Sequence, residues 1–328
     1  MPCVGVCTDM CPRGGEVGWE QRSLEVRGLH RFELPDPRRP DLAISHLAIK
    51  PFRRSAADKK LDIPEEVRTP EALQRTLRYC EDQIYDADQS PDPRFDGLAP
   101  TTQDTYIFLM DRTRMIRKDF ILQNFRGGSG NRHDPLAIDV FERLTRYYVM
   151  MGQELSGTEL WDGKAGYGKQ NTEAVNESLS NLDDFYEATI DSACEVGSST
   201  SEVAVSAHEA EFRAYYIVFF ADEEGGGRVI EYLRRLIKRR RAVYYSRDVQ
   251  AALGALSARS AGDYCNFFRR LRSAPYLAAC LLARSVPAVR AEGLEAMRAA
   301  YGIRGGQGFP LTSMADNFGM CGDDEAFQ

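Results

Sequence analysis

Residues Thr101 to Phe125 read TTQDTYIFLMDRTRMIRKDFILQNF, and the period of this stretch decides the fold class. Thr101 followed three residues later by Asp104 has the spacing of a capping box, in which the two residues satisfy backbone N–H groups that a helix start leaves open. Tyr106, Leu109, Met110, Thr113, Ile116, Phe120 and Ile121 then recur three and four apart, one apolar stripe along a helix. Arg126-Gly127-Gly128-Ser129-Gly130 ends it.

The same signal repeats on both sides. Upstream, Thr69-Pro70-Glu71 supplies a cap hydroxyl, a proline at the first helical position and an acid at the positive helix end, and Leu73, Leu77, Cys80 and Ile84 follow at helical spacing. Downstream, Asp134-Pro135 opens a helix with Ile138, Phe141, Leu144, Tyr148 and Met151 on one side, and Val175, Leu179, Leu182, Phe185 and Tyr186 mark another to about Ala193. Further helices are predicted near 203–221, 228–240, 247–257, 262–271, 275–284 and 287–301. No convincing alternating strand occurs. Each amphipathic helix needs a neighbour to cover its stripe, so the expected fold is all-α, an irregular α-solenoid of antiparallel helix pairs. It lacks a fixed repeat period.

Residues 1–68 differ in texture. Prolines at 2, 12, 35, 37, 40, 51 and 64 forbid long helices there. We expect an extended segment draped over the helical body, anchored by Leu42, Ile44, Leu47, Ile49 and Phe52. The chain has 328 residues, 42 Lys+Arg against 49 Asp+Glu and 43% apolar residues, which excludes the disordered class. The longest apolar runs, Tyr215–Ala221 and Pro275–Ala283, fall far short of the roughly 18 residues of a membrane helix. The N-terminus lacks the basic and apolar regions of a secretory signal, which predicts an intracellular protein without a disulfide framework.

Candidate chemistry is sparse. Cys3, Cys7 and Cys11 are spaced four residues apart, but a second Cys or His pair at zinc spacing is missing, so reduced thiols are expected and no metal. Gly163-Lys164-Ala165-Gly166-Tyr167-Gly168-Lys169-Gln170 has the spacing of a phosphate loop but ends in Gln170, where a magnesium-binding hydroxyl belongs, and a β-branched strand does not precede it. We read it as a flexible turn between helices. The four histidines lie in unrelated contexts and the Gly-x-Ser-x-Gly elbow is absent. Neither a catalytic residue nor a cofactor is expected.

One stretch stands out by charge. From Arg228 to Arg247 there are eight basic residues and one acid, a net of +7 inside a chain of −7. Leu233, Leu236 and Ile237 are expected to dock this helix, leaving Arg234, Arg235, Lys238 and Arg241 on its outer face. Together with Arg239 and Arg240 they form the candidate nucleic-acid-binding set. The competing readings are a nuclear-import signal and a solvated face paired with acids. A second charged group, Asp111, Arg112, Arg114, Arg117 and Asp119, flanks the stripe of the helix quoted first. We expect structural pairing, locally from Asp111 to Arg114 and outward to a neighbouring helix or the N-terminal segment.

Cys7-Thr8-Asp9-Met10-Cys11-Pro12, Arg54-Ser55-Ala56-Ala57-Asp58-Lys59 and the run DRTRMIRKDF from Asp111 to Phe120 resemble, in that order, successive signatures of the Sac-three/GANP family. Glu209-Ala210-Glu211-Phe212-Arg213-Ala214-Tyr215, Asn266-Phe267-Phe268-Arg269 and Ala274-Pro275-Tyr276-Leu277 resemble its later helices. The resemblance implies a non-enzymatic nuclear scaffold of the TREX-two messenger-RNA export complex at the nuclear pore, or a centrosomal or splicing-linked adaptor of the same fold. It implies PCI-type helical repeats over 69–308 that lead into a winged helix. Phe309-Pro310-Leu311 and Asp323-Asp324-Glu325-Ala326-Phe327 resemble the opening of that winged helix, so 309–328 would hold only its start. It further implies pairing with a second PCI-type subunit and a small acidic protein, with single-stranded RNA as a third partner, and neither a membrane nor a small-molecule substrate. From another class, a nucleotide-binding enzyme would use Lys169 in the Gly163–Gln170 loop.

Overall fold

The computed structural model describes residues 3–15, 18–24, 28–34, 46–54, 62–125, 135–164, 166–195, 197, 199–200, 203–222, 226–301 and 309–320. Among these, all regular structure is helical, with two isolated β-bridges, Cys7 to Arg68 and Asp92 to Leu98. The all-α class read from the sequence is the class observed. The chain divides into two compact units, residues 1–189 and 190–328.

The first unit holds α1 (Trp19–Leu24), α2 (Pro70–Cys80), α3 (Thr102–Leu122), α4 (Pro135–Glu154), α5 (Glu159–Asp162) and most of α6 (Tyr167–Glu195). The predicted capping box is formed: the Thr101 hydroxyl accepts the Asp104 N–H and the Asp104 carboxylate accepts the Thr101 N–H, each at 3.1 Å. The single apolar stripe proves too narrow a description of α3. Thr105, Phe108, Met115, Arg112, Arg117 and Asp119 are buried along with Tyr106, Leu109, Ile116 and Phe120. A helix enclosed on most sides buries polar positions too, and α3 packs against both α2 and α4 and beneath the N-terminal segment. Phe141 of α4 meets Phe185 of α6 edge to face at 5.1 Å, closing the core behind it.

Backbone hydrogen bonds tie the N-terminal segment to itself and, through Thr69, to the start of α2. Cys7 N–H donates to Val67 C=O at 3.1 Å, Thr69 N–H to Cys7 C=O at 2.9 Å, and Lys50 N–H to Met10 C=O at 3.1 Å. Of its expected anchors, Ile49 is fully buried, Leu47 and Phe52 are half-buried, and Leu42 and Ile44 lie outside the described residues.

The second unit contains α7 (Glu209–Phe219), α8 (Gly227–Arg239), α9 (Arg241–Tyr244), α10 (Arg247–Ser260), α11 (Tyr264–Ser273), α12 (Tyr276–Ala283), α13 (Val286–Ala300) and α14 (Leu311–Phe318). Its core gathers Phe267, Phe268, Leu282, Val289, Met297 and Phe318. Phe318 is fully buried and stacks on Tyr264 with ring centres 4.9 Å apart. Gly293 makes that seat possible, because a Cβ there would stand 2.5 Å from the Phe318 ring. Residues 321–328, which include the second half of the expected winged-helix opening, lie outside the described residues. No helix among the described residues is long and apolar enough to cross a membrane.

Phe318→Ala removes the side chain that seats α14. It should lower the stability of the second unit by about 3–5 kcal/mol, read from the urea midpoint by circular dichroism. A loss below about 1 kcal/mol would contradict this packing.

Candidate nucleic-acid interface

Helix α8 docks through Val229, Tyr232 and Leu236, three and four residues apart, all buried. Tyr232 stacks on Tyr216 of α7 with ring centres 4.1 Å apart. Arg234 and Lys238 lie on the face opposite, Arg235 flanks it with its guanidinium 5.2 Å from the centre of the Tyr232 ring, and Arg241 follows the end of α8 at the start of α9, all four exposed. Ile237, expected to dock, is instead 39% exposed. It lies seven residues after Ile230, itself 53% exposed, so the two share the outer face with Arg234 between them. Tyr245, also exposed, holds Arg241 over its ring at 5.7 Å.

Arg240 does not belong to this surface. The chain leaves helical geometry there, with φ −132° and ψ 56°, and the side chain turns inward to 8% exposure. It pairs with Glu209 and donates to the carbonyls of Thr200 at 2.7 Å and Val203 at 2.8 Å. Glu209 also accepts from Arg213 at 3.2 Å, so one buried carboxylate organises two guanidinium groups. Arg239 is half-buried and pairs with Asp191. The outward set is therefore Arg234, Arg235, Lys238 and Arg241, a group of cations interleaved with exposed Ile230 and Ile237, which can meet phosphates and apolar groups together.

The second charged group faces inward. The Asp119 carboxylate has no exposed surface and accepts from Lys50 Nζ at 2.9 Å and Arg68 Nε at 2.7 Å. Lys50 also donates to Glu66 C=O, and Arg68 to Met10 C=O. Arg112 reaches Glu33 at 3.0 Å, where Arg22 joins at 2.9 Å and the Ile49 N–H at 2.8 Å. Arg117 pairs with Glu177 of α6 at 2.7 Å. Arg114 lies over the Phe52 ring at 4.2 Å, and Asp111 accepts the Phe52 N–H at 3.0 Å and pairs with Arg112, not with Arg114 as its spacing suggested. Four of the five charges thus engage the N-terminal segment and Arg117 engages a helix. Glu33, Lys50, Arg68 and Arg22 were missed by sequence reasoning, because they lie in a Pro-rich stretch with no helical period to mark an inward side.

Burial works to raise the Glu33 pKa, but Arg112 and Arg22 with their hydrogen bonds outweigh it and hold the carboxyl below its ordinary value. Burial depresses Lys50, with Asp119 acting against it. Cys7 and Cys11 are buried and Cys3 half-buried, and burial raises all three thiols. No cluster of His, Cys, Asp and Glu suited to a metal occurs among the described residues. The segment read as a turn between helices connects α5 to α6 only in its first half: Tyr167-Gly168-Lys169-Gln170 form the first turn of α6, with Gly168 against the Trp161 indole, and the short helix α5 precedes it where a phosphate loop needs a strand.

The run from Asp111 to Phe120 is therefore the seam that fastens the N-terminal segment to α3. A family model described as the SAC3/GANP family matches residues 10–328, which include that seam and the α8 face. The chain belongs to the SAC3/GANP family. It is 29% identical over 313 residues to SAC3 family protein 1 of Schizosaccharomyces pombe, a match covering 91% of this chain and 27% of that protein. Over 325 residues it is 27% identical to SAC3 family protein B of Arabidopsis thaliana, covering 98% and 17%. Protein xmas of Drosophila melanogaster is 26% identical over 301 residues, covering 90% and 13%. The chain thus spans about a quarter or less of the curated relatives it matches. In this SAC3/GANP chain the signature words Cys7 to Pro12 and Asp111 to Phe120 meet through Met10 C=O, Arg68 and Asp119.

Because the folded Glu33 lies below its ordinary pKa, its stabilisation is present above about pH 4.3 and is lost as pH falls through the lower folded value. Glu33→Gln should cost about 3–5 kcal/mol at pH 7 by leaving Arg22 and Arg112 without a buried carboxylate. Its deficit against wild type should shrink steadily below about pH 4. Parallel urea midpoints for the two proteins from pH 7 to pH 3 would refute the assignment.

Proposed function

We propose that this chain is a non-catalytic helical scaffold module of messenger-RNA export that works in the nucleus, holds a second PCI-type subunit together with a small acidic protein, and meets RNA with the outer face of α8. SAC3/GANP membership across residues 10–328 carries the export role. The exposed group of Arg234, Arg235, Lys238 and Arg241 supports the RNA reading. Exposed cations gathered within a short stretch are what binding driven by counterion release requires. The all-helical build supports a scaffold, since helices present faces and grooves.

Affinity purification of the tagged chain from nuclear extract tests the partner assignment. Recovery of a PCI-type subunit in stoichiometric amount supports it, and its absence from an extract that contains such subunits removes it. For RNA, changing Arg234, Arg235, Lys238 and Arg241 together to Glu should weaken binding of a single-stranded oligonucleotide by roughly tenfold or more at low salt. The slope of log affinity against log salt should fall by about 0.7 for each phosphate that the variant no longer neutralises. An unchanged slope in a variant with native circular dichroism would remove α8 from the RNA reading.

A further inference from the structure

The second unit contains a groove that lies over its core at Ala255 and Leu282 and takes no residue from α8. It runs between α7, α10 and α12 with a volume of about 810 Å³. Its floor is made by the buried Ala214, Ala252 and Ala255, small side chains that leave depth above closely packed helices, and the exposed Ala251 and Tyr276 stand at its rim. Alanines alone make only a depression. What gives this one a chemical direction is Arg270, near the end of α11.

Arg270 lies flat across Gly254 of α10, where a Cβ would stand 2.6 Å from the guanidinium carbon. Its Nε is buried without a hydrogen-bond partner, and no carboxylate among the described residues pairs with it. Neither acid that lines the groove pairs with Arg270. Glu211 accepts from the Tyr215 hydroxyl at 2.9 Å and faces His208 at 3.6 Å, and Asp248 sits in the first turn of α10, where the positive helix end holds a carboxylate. A half-buried guanidinium at the edge of an apolar trough is complementary to a carboxylate that arrives on an apolar ligand.

We propose that this groove docks an amphipathic helical segment of a partner protein, with two or three apolar side chains over the alanine floor and one Asp or Glu paired with Arg270. An apolar trough with a charged residue at its edge is what the helix-in-groove mode of recognition uses. RNA is the poorer occupant. A phosphate backbone would meet Arg247 and the half-buried Arg270 here with Glu211 and Asp248 beside them, whereas α8 offers exposed Arg234, Arg235 and Lys238 with only Glu231 as an acid on the helix.

Selection of short helical peptides from a displayed random library on the full chain tests this. Enriched sequences should carry apolar residues at i, i+3 or i+4, and i+7 together with an acidic residue. Fluorescence anisotropy with those peptides should show a loss of roughly tenfold or more in Arg270→Glu and in Ala251→Trp, and no change in Arg234→Glu. Ala251 is exposed, so the tryptophan fills the groove without entering the core, and circular dichroism checks the fold of each variant. Failure to enrich such peptides, or peptides indifferent to both Arg270→Glu and Ala251→Trp, would overturn the proposal. So would displacement of the peptide by single-stranded RNA, or a sedimentation-detected dimer that Ala251→Trp abolishes, which would give the groove to RNA or to a second copy.

Discussion

Asp119 sits on α3 with neither carboxylate oxygen exposed, and an ionised carboxylate taken out of water costs several kcal/mol unless cations and hydrogen bonds replace the lost hydration. Lys50 and Arg68 do this, and both come from the segment that precedes the helical bundle. Their distances of 2.9 Å and 2.7 Å leave little room for the segment to slide. Glu33 applies the same constraint in the opposite direction, since there the segment supplies the acid and α3 supplies Arg112. The two clusters fasten one seam with charges exchanged, so a shift in register would strand several buried ions at once. Their contribution is better understood as specificity than as net stability, because a buried pair roughly cancels its own desolvation and becomes costly only when one partner is lost.

This explains how the described parts of a Pro-rich stretch are held against α3 without long helices of their own. Cys11, Phe32, Ile49 and Val67 are fully buried, and these anchors are scattered along a segment with no helical period to align them. The seam adds hydrogen bonds to its carbonyls at Met10 and Glu66, turning polar backbone that an irregular segment leaves open into partners for Arg68 and Lys50.

What was legible in the sequence follows the range of the interactions involved. The starts of α2 and α3 were readable because Thr69 and Thr101 act on N–H groups three residues away. The start of α6 was hidden: Gly166 and Gly168 argue for a turn, and only the Trp161 indole packed on Gly168 shows why glycine is tolerated in that first helical turn. The partners of Asp119 lie 51 and 69 residues away, in a stretch with no period, so spacing carried no trace of them. On α8 the charge count was readable but the phase was not. Three aliphatic residues suggested the docking side, and the stacking of Tyr232 on Tyr216 rotated the helix so that Ile237 faces outward.

Arginine serves three purposes in this chain, and exposure with available acids decides which. Arg68 is fully buried because Asp119 awaits it, Arg114 lies half-buried over Phe52, and Arg234 stays in water. Arg240 marks the border between the first and last of these. It is next in sequence to exposed Arg241, yet Glu209 and two carbonyls draw it inside as α8 ends. A run of basic residues is therefore not one electrostatic object. Removing charge at Arg234 alters only what the surface attracts, while removing it at Arg240 would leave Glu209 dependent on Arg213 alone and open the turn that carries α8 into α9.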